Sequence, residues 1–289
     1  MPSTDVQSVV TPPGAPVTVA EAPGQPATAR RSGRGGAGVG RLSRQFGGVV
    51  VAVAVWELVS VSGVVTNQAL ASVPATGRAL ASHAGSLASA AGGTLEAWAV
   101  GLAIAAVAGT VLGTLVGRSR MADASTEILV RMMRPLPSLA LIPIAILVAG
   151  LGLKMTAGLV AFTSFWPVFI NTRYGVRQVD NLFIDTGRTL DLRRLGLLSR
   201  VILPAAAPLI ASGMQVAISL ALVVTVSVEL VGGTGGIGSF VLRAQQANVV
   251  PTMYAGILVG GLVGWALNVG FRTLMGRLLP WADRTDSRP

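Results

Sequence analysis

Apolar residues in this chain come in blocks, not in stripes. Stretches approaching the ~20 residues with which an α-helix crosses the hydrocarbon core of a bilayer fall at about residues 46–65, 94–117, 135–152, 155–172, 205–230 and 252–275. The pattern predicts an all-α polytopic membrane protein of about six transmembrane helices. Residues 46–275 then form the membrane domain. Residues 1–45, rich in Pro, Ala, Gly, Ser and Thr and then basic, read as a disordered tail. Residues 276–289 read as a second, short tail.

Features inside the blocks refine this picture. Gly109, Gly113 and Gly117 recur every four residues, as do Gly256, Gly260 and Gly264. Such faces let helix backbones approach closely in lipid. Pro135, Pro137 and Pro143 crowd the entry of the third block and predict a broken helix. Pro167 predicts a kink in the fourth. Glu57 inside the first block predicts a polar contact within the bundle, because a carboxylate facing lipid is costly. The segment between the first two blocks has room for a short interfacial helix, and His83 there reads as a solvated loop residue. The glycine-rich run at residues 232–238 predicts a flexible loop.

One polar island interrupts the pattern. Residues 185–204 read DTGRTLDLRRLGLLSRVILP, with leucines interleaved among Asp185, Arg188, Asp191, Arg193, Arg194 and Arg200. This predicts a helix, a tight turn, a short amphipathic helix and a new span opened by Pro204, since proline is tolerated at a helix start. With the basic residues before it, the predicted extramembrane loop covers residues 173–203.

Composition narrows the class. Of 289 residues, 52% are hydrophobic and 12% charged, against about 25% charged in soluble domains. There is no cysteine and a single histidine, so thiolate chemistry, disulfides and a histidine-cluster metal site are excluded. No H-E-x-x-H or G-x-S-x-G occurs, and the one lysine, Lys154, sits in no nucleotide-binding motif. The chain is therefore not read as an enzyme.

The net charge of +10 is a membrane signature rather than a nucleic-acid footprint. With six spans and the amino terminus inside, every basic residue but Arg78, Lys154 and Arg243 falls on the inner side. The positive-inside rule selects that orientation. Both termini and the island at residues 185–204 are then cytoplasmic.

The island resembles the cytoplasmic "EAA" loop of ABC-importer permeases. That pattern is Glu-Ala-Ala, three residues, Gly, nine residues, Ile, one residue, Leu-Pro. Here Asp185-Thr186-Gly187 stands for Glu-Ala-Ala, Asp191 for Gly, and Val201-Ile202-Leu203-Pro204 closes the motif. Leu203 and Pro204 match letter for letter. The Arg188-Thr189-Leu190 triplet and the run from Arg134 to Pro143 are similar to the branch that imports nitrate, sulfonates and taurine. The resemblance covers about residues 46–275.

It implies a type I ABC-importer permease in the bacterial inner membrane, paired with a second permease copy or paralogue. Two ATP-binding subunits would lie beneath it, and an extracytoplasmic binding protein would deliver a small solute, such as an anion of that branch. No cofactor binds this chain directly; ATP and Mg belong to the partner subunits. Asp185, Thr186, Gly187, Arg188, Leu190, Asp191, Leu203 and Pro204 are the expected coupling residues. Gln215, Thr225, Ser227 and Glu229 of the fifth block are candidate pathway or gate residues. Glu229 is either a gate element or a helix-end acid bonded to the glycine run, the second being favoured. An ion-coupled secondary transporter is the alternative. Such proteins use intramembrane carboxylates or internal repeats, and the chain shows no convincing repeat.

Overall fold

The computed structural model describes residues 37–64, 69–133, 138–232 and 235–281. Most of the expected amino-terminal tail, residues 134–137 of the proline-rich entry, part of the glycine run and the last residues of the carboxyl tail lie outside them. Among the described residues the regular structure is entirely helical. Contacts divide the chain at Val50/Val51. The described part of the first unit is helix, the beginning of α1 (Ala37–Val61). All that follows concerns the second unit.

Four helices there are long and apolar enough to cross a membrane: α3 (Ala84–Gly117), α6 (Leu153–Arg177), α9 (Leu203–Gly232) and α11 (Val250–Leu278). A bent pair makes a fifth crossing if its two helices are counted together. Helix α4 (Arg120–Met133) is followed by a 3-10 turn (Ser138–Leu141) and α5 (Ile142–Ala149), inclined to it by 81°. The third block is thus broken, as its prolines predict, and its α-helix, Ile142–Ala149, is shorter than the block at 135–152. The apolar stretch of α1 with described side chains, Gly47–Val61, is shorter than a full span.

The glycine stripe of α3 sets the packing. Gly101, Gly109, Gly113 and Gly117 lie against Val160, Val168, Phe169 and Thr172, and Arg173 and Val176 of α6. Contacts advance together along both chains, so α3 and α6 run parallel. Two parallel neighbours require the chain to return between them, and the bent pair lies on that stretch. On its other side α6 packs antiparallel to α9: Gly175 meets Ala206 and Leu209, and Gly213 meets Asn171 and Pro167. Leu102, Met155, Val160, Val168, Ala217, Ala221 and Val228 fill the core between the three. Helix α11 runs antiparallel to α9, with Gly264 on Leu222 and Asn268 on Ser219.

Every one of these directions has one consequence. The ends of α3, α6 and α11 and the start of α9 gather at one end of the bundle. At the other end, Glu57 accepts from the backbone N of Val73, the first residue of α2 (Val73–Ser82), at 2.7 Å. Trp56 donates to Ala71 O at 2.9 Å, and its ring lies 5.7 Å from that of Tyr254. Glu57 is therefore a helix-end contact.

Several predicted boundaries moved: α1 begins at Ala37, inside the tail expected to be disordered to residue 45, and α6 runs to Arg177, past its apolar block. Helix α3 begins ten residues before its apolar block, because Ala84–Gly93 holds no breaker strong enough to stop an alanine-rich helix. The glycine run is not all loop: Gly236–Gln246 forms α10, an element the apolar blocks do not announce.

Candidate functional site

At the gathered end the chain builds a small helical knob. Asp180 opens α7 (Asn181–Thr189), its side chain accepting from Leu182 N at 2.9 Å, which satisfies one of the free N–H groups of a helix start. The helix closes in a Schellman turn. Leu192 N reaches Gly187 O at 3.2 Å and Asp191 N reaches Arg188 O at 3.0 Å, the two bonds that define this cap. The cap requires a left-handed residue, and Asp191 takes it with φ 59°. Aspartate holds this conformation at the steric cost of a Cβ.

Gly187 is fixed by packing. A Cβ on it would lie 2.6 Å from Leu197 Cδ1. Leu197, of the one-turn helix α8 (Arg194–Leu197), forms with Val176, Ile202 and Ala206 a cluster that fastens the knob to α6 and α9. A π turn, Leu198–Ile202, then leads into α9, with Leu203 N bonded to Leu198 O. The ring of Pro204 would crowd the carbonyl four residues earlier, that of Arg200, and the wider turn spans that carbonyl. From Arg194 onward the island and the following span are therefore one continuous helix to Gly232, where the sequence predicted a new span opening at Pro204.

The outer face of the knob is different in character. Leu182, Phe183, Leu190 and Leu195 are exposed by 59–79%, and Asp185 pairs with Arg188 across the surface at 3.1 Å. Thr186 returns its hydroxyl to Leu182 O at 2.7 Å. Asp185, Arg188 and Leu190 thus share the exposed side, while Gly187, Leu203 and Pro204 face inward or lie half-buried.

Beside the knob is a cluster that sequence reading missed. Asp123 of α4 receives hydrogen bonds from both Arg173 and Arg177 of α6. Arg173 is only 4% exposed; it belongs to the helix and not to the loop predicted to begin there. The available signal was a pair of arginines four residues apart, hence on one helix face, facing one of two acids in a basic stretch.

The four candidate pathway residues do not form one group. Thr225 is buried and returns its hydroxyl to Ala221 O at 2.8 Å, and Ser227 is half-buried. Glu229 is buried against the start of α10. Its Oε2 accepts from Gly238 N at 2.9 Å and from Thr94 Oγ1 at 3.0 Å, while Thr94 Oγ1 accepts from Ile237 N at 2.8 Å. Together Glu229 and Thr94 cap a helix whose own first residues carry no side-chain cap. Gly236 has φ 90°, and a Cβ there would lie 2.2 Å from Glu229 Oε1. Gln215, ten or more residues earlier in α9, is instead a neighbour of α11.

Replacing Asp191 tests the cap. Asp191→Gly should stabilise the purified chain by about 1 kcal/mol, the left-handed penalty removed. Asp191→Val should lower the melting temperature. A lower melting temperature for the glycine variant would contradict the assigned turn.

An all-helical polytopic membrane protein with a structured polar knob at its arginine-rich end has the design of a transport permease. Residues 105–284 match the model of the family described as binding-protein-dependent transport system inner membrane component, and the chain belongs to that family. NrtB of Leptolyngbya laminosa, a nitrate import permease protein, is 32% identical over 187 residues, covering 65% of this chain and 67% of its own. CmpB of Synechococcus elongatus, a bicarbonate transport system permease protein, is 33% identical, covering 64% of each chain. SsuC of Bacillus subtilis (strain 168), named for aliphatic sulfonates transport, is 32% identical over 185 residues, covering 64% of this chain and 67% of its own. The matches thus span about two thirds of these relatives. A chain from the crystal structure of an amino acid ABC transporter with histidines superposes with a TM-score of 0.56. It covers 70% of this chain and 97% of that one at 15% identity, and so shares the fold.

Proposed function

We propose that this chain is the membrane-spanning half of an ATP-driven importer of a small oxyanion, of the class named by its nitrate, bicarbonate and sulfonate relatives. It works with a second permease, two ATP-binding subunits and an external binding protein. ATP and Mg sit on the partner subunits. The end that gathers Arg118, Arg131, Arg173, Arg188, Arg200 and Arg277 is the cytoplasmic one by the positive-inside rule, with both termini on that side.

The observation that carries this reading is the knob. Exposed Leu182, Phe183, Leu190 and Leu195 make an apolar tip, and the Asp185–Arg188 pair sets its register. An apolar tip rimmed by charge is the form of a protein-docking surface. Its fastening through Leu197 and Ile202 to α6 and α9 gives partner motion a rigid lever on two spans. Thr186, Gly187, Asp191, Leu203 and Pro204 shape that lever rather than touch the partner.

The test is purification of the chain from membranes that hold its transporter. An ATP-binding subunit should come with it. Leu195→Asp, or reversal of Asp185 and Arg188 to Lys and Glu, should reduce its recovery by about tenfold, equivalent to 1.4 kcal/mol, with the melting temperature of the permease little changed. Recovery of the chain alone, with uptake that follows the proton gradient and ignores ATP, would favour an ion-coupled transporter.

A further inference from the structure

The polar residues of α9 do not all serve its own helix. Gln215 turns to α11: with its amide oriented so that the oxygen faces Arg272, that oxygen accepts from Nε and Nη2 of Arg272, both at 2.9 Å. Ser212 and Ser219 lie three residues before and four residues after Gln215, on the same helix face. Asn268, one turn before Arg272 on α11, donates to Ser219 Oγ at 3.2 Å. Two open cavities of about 340 and 640 Å³ meet at Ser212 and Gln215, the first bounded also by Arg272 and the second by Asn268.

Three facts make this groove more than a packing defect. Its rims are two apolar spans, where a polar row turned to lipid is costly and faces water or protein instead. Among the described residues Arg272 pairs with no carboxylate, so its positive charge is not cancelled. Its one fixed partner is the neutral oxygen of Gln215, which holds Nε and Nη2 and leaves Nη1 and the outer edge of the fork open. A planar guanidinium held in this way, flanked by hydroxyls and an amide, suits a small planar or tetrahedral oxyanion.

We propose that Arg272, held by Gln215 and flanked by Ser212, Ser219 and Asn268, forms an anion-binding station in the permeation path. Gln215 lies about 18 Å along α9 from its first residue, at 1.5 Å per residue. Arg272, Ser212 and Ser219 are exposed, so the station lies on an open groove between α9 and α11, set back from the knob on the half of α9 nearer the side on which the transported anion leaves. This rests on the reading of the chain as an oxyanion permease and names the group that would hold its substrate. A lipid headgroup phosphate shares the same chemistry; the transported anion is the occupant assigned here, because polar groups from two spans converge on a groove whose remaining walls, such as Val216, Leu220 and Phe271, are apolar.

Binding separates these sources without depending on the coupling reading. The permease, with whatever subunits accompany it, is placed in bilayer discs of phosphatidylcholine alone or with phosphatidylglycerol. Its melting temperature is followed against sodium nitrate, methanesulfonate and bicarbonate, with gluconate as control. At least one small oxyanion should raise the melting temperature in phosphatidylcholine alone. Arg272→Gln should weaken the apparent affinity by about tenfold or more, the scale of a lost charge-assisted hydrogen bond. Arg272→Lys should restore part of it, which a role confined to bracing Gln215 would not. Arg277→Gln, beyond the groove, should bind as the wild type does. No shift with any of the three anions, equal affinity in Arg272→Gln, or an Arg272 effect seen only with phosphatidylglycerol present would overturn the proposal. Failure of the coupling reading would show separately, as absence of an ATP-binding subunit from the purified complex.

Discussion

Gly101→Val should abolish recovery of the folded permease. A Cβ at Gly101 would stand 2.6 Å from Val160 Cβ and Cγ1 and 2.8 Å from Ala157 O. Val160 is itself fully buried, and the carbonyl is backbone, so neither can yield. Relief would require α3 and α6 to separate along their whole shared length. Overpacking a dense core costs about 1–3 kcal/mol and sometimes more. Here it acts where no hydrophobic force between helices compensates, since lipid solvates apolar side chains as well as a neighbouring helix does. The expected result is loss of the monodisperse peak on size exclusion in mild detergent. Gly158, on the open side of α6, has nothing within 4 Å of its would-be Cβ. Gly158→Ala should be neutral or stabilising by up to about 1 kcal/mol, the helix-propensity gain. Equal behaviour of the two variants would show that the stripe does not set the interface.

The stripe also shows how far the sequence could be read. Spacing by four picked out Gly109, Gly113 and Gly117. It passed over Gly101, because Ala105, 1% exposed, fills the intervening position. Counting alanine as small extends the same face by two turns. Apolar blocks located α3, α6, α9 and α11 because each is long, and length is what hydropathy measures. They gave no account of α10, whose start is glycine and whose caps come from Glu229, at the end of the span before it, and from Thr94, distant in sequence. They also drew the third block as one span, where Ser138–Ala149 makes only a 3-10 turn and a short helix.

The knob was legible in another way. Asp191 in place of glycine looked like the weakest letter of the motif, and its backbone is nonetheless left-handed, since aspartate tolerates that region better than most residues. The motif records a conformation more than a residue. What spacing could not reveal were tertiary partners. Arg173 and Arg272 both read as topology markers at the ends of spans. One is buried on Asp123 of another helix, and the other is turned to Gln215. A charge count is blind to that difference, because the partner in each case lies more than 45 residues away.

Glu229→Ala should be the most damaging change on the opposite half of α9. The side chain is 2% exposed, and its Oε2 serves both Gly238 N and Thr94 Oγ1. Truncation leaves these two donors without their acceptor and opens a void against Gly236. A buried donor left unsatisfied costs about 1–3 kcal/mol, so a loss of roughly 2–5 kcal/mol is expected, read as a large fall in melting temperature and in membrane yield. Glu229→Gln separates geometry from charge. A glutamine oxygen in the same place still accepts from Gly238 N, so this variant should lose less than half as much stability and retain uptake. Thr94→Val should behave like a partial Glu229→Ala, since it strips the hydroxyl that accepts from Ile237 N, and the pair should be non-additive because both act on one helix start. If Glu229→Gln were as stable as the wild type yet inactive, the carboxylate would be needed for passage and not for the cap. If the alanine and glutamine variants fell equally, acceptance by Oε2 would not be what holds α10. The expected order, alanine well below glutamine and glutamine near wild type in uptake, follows from the residue's position: it closes the first turn of a helix that has no cap of its own.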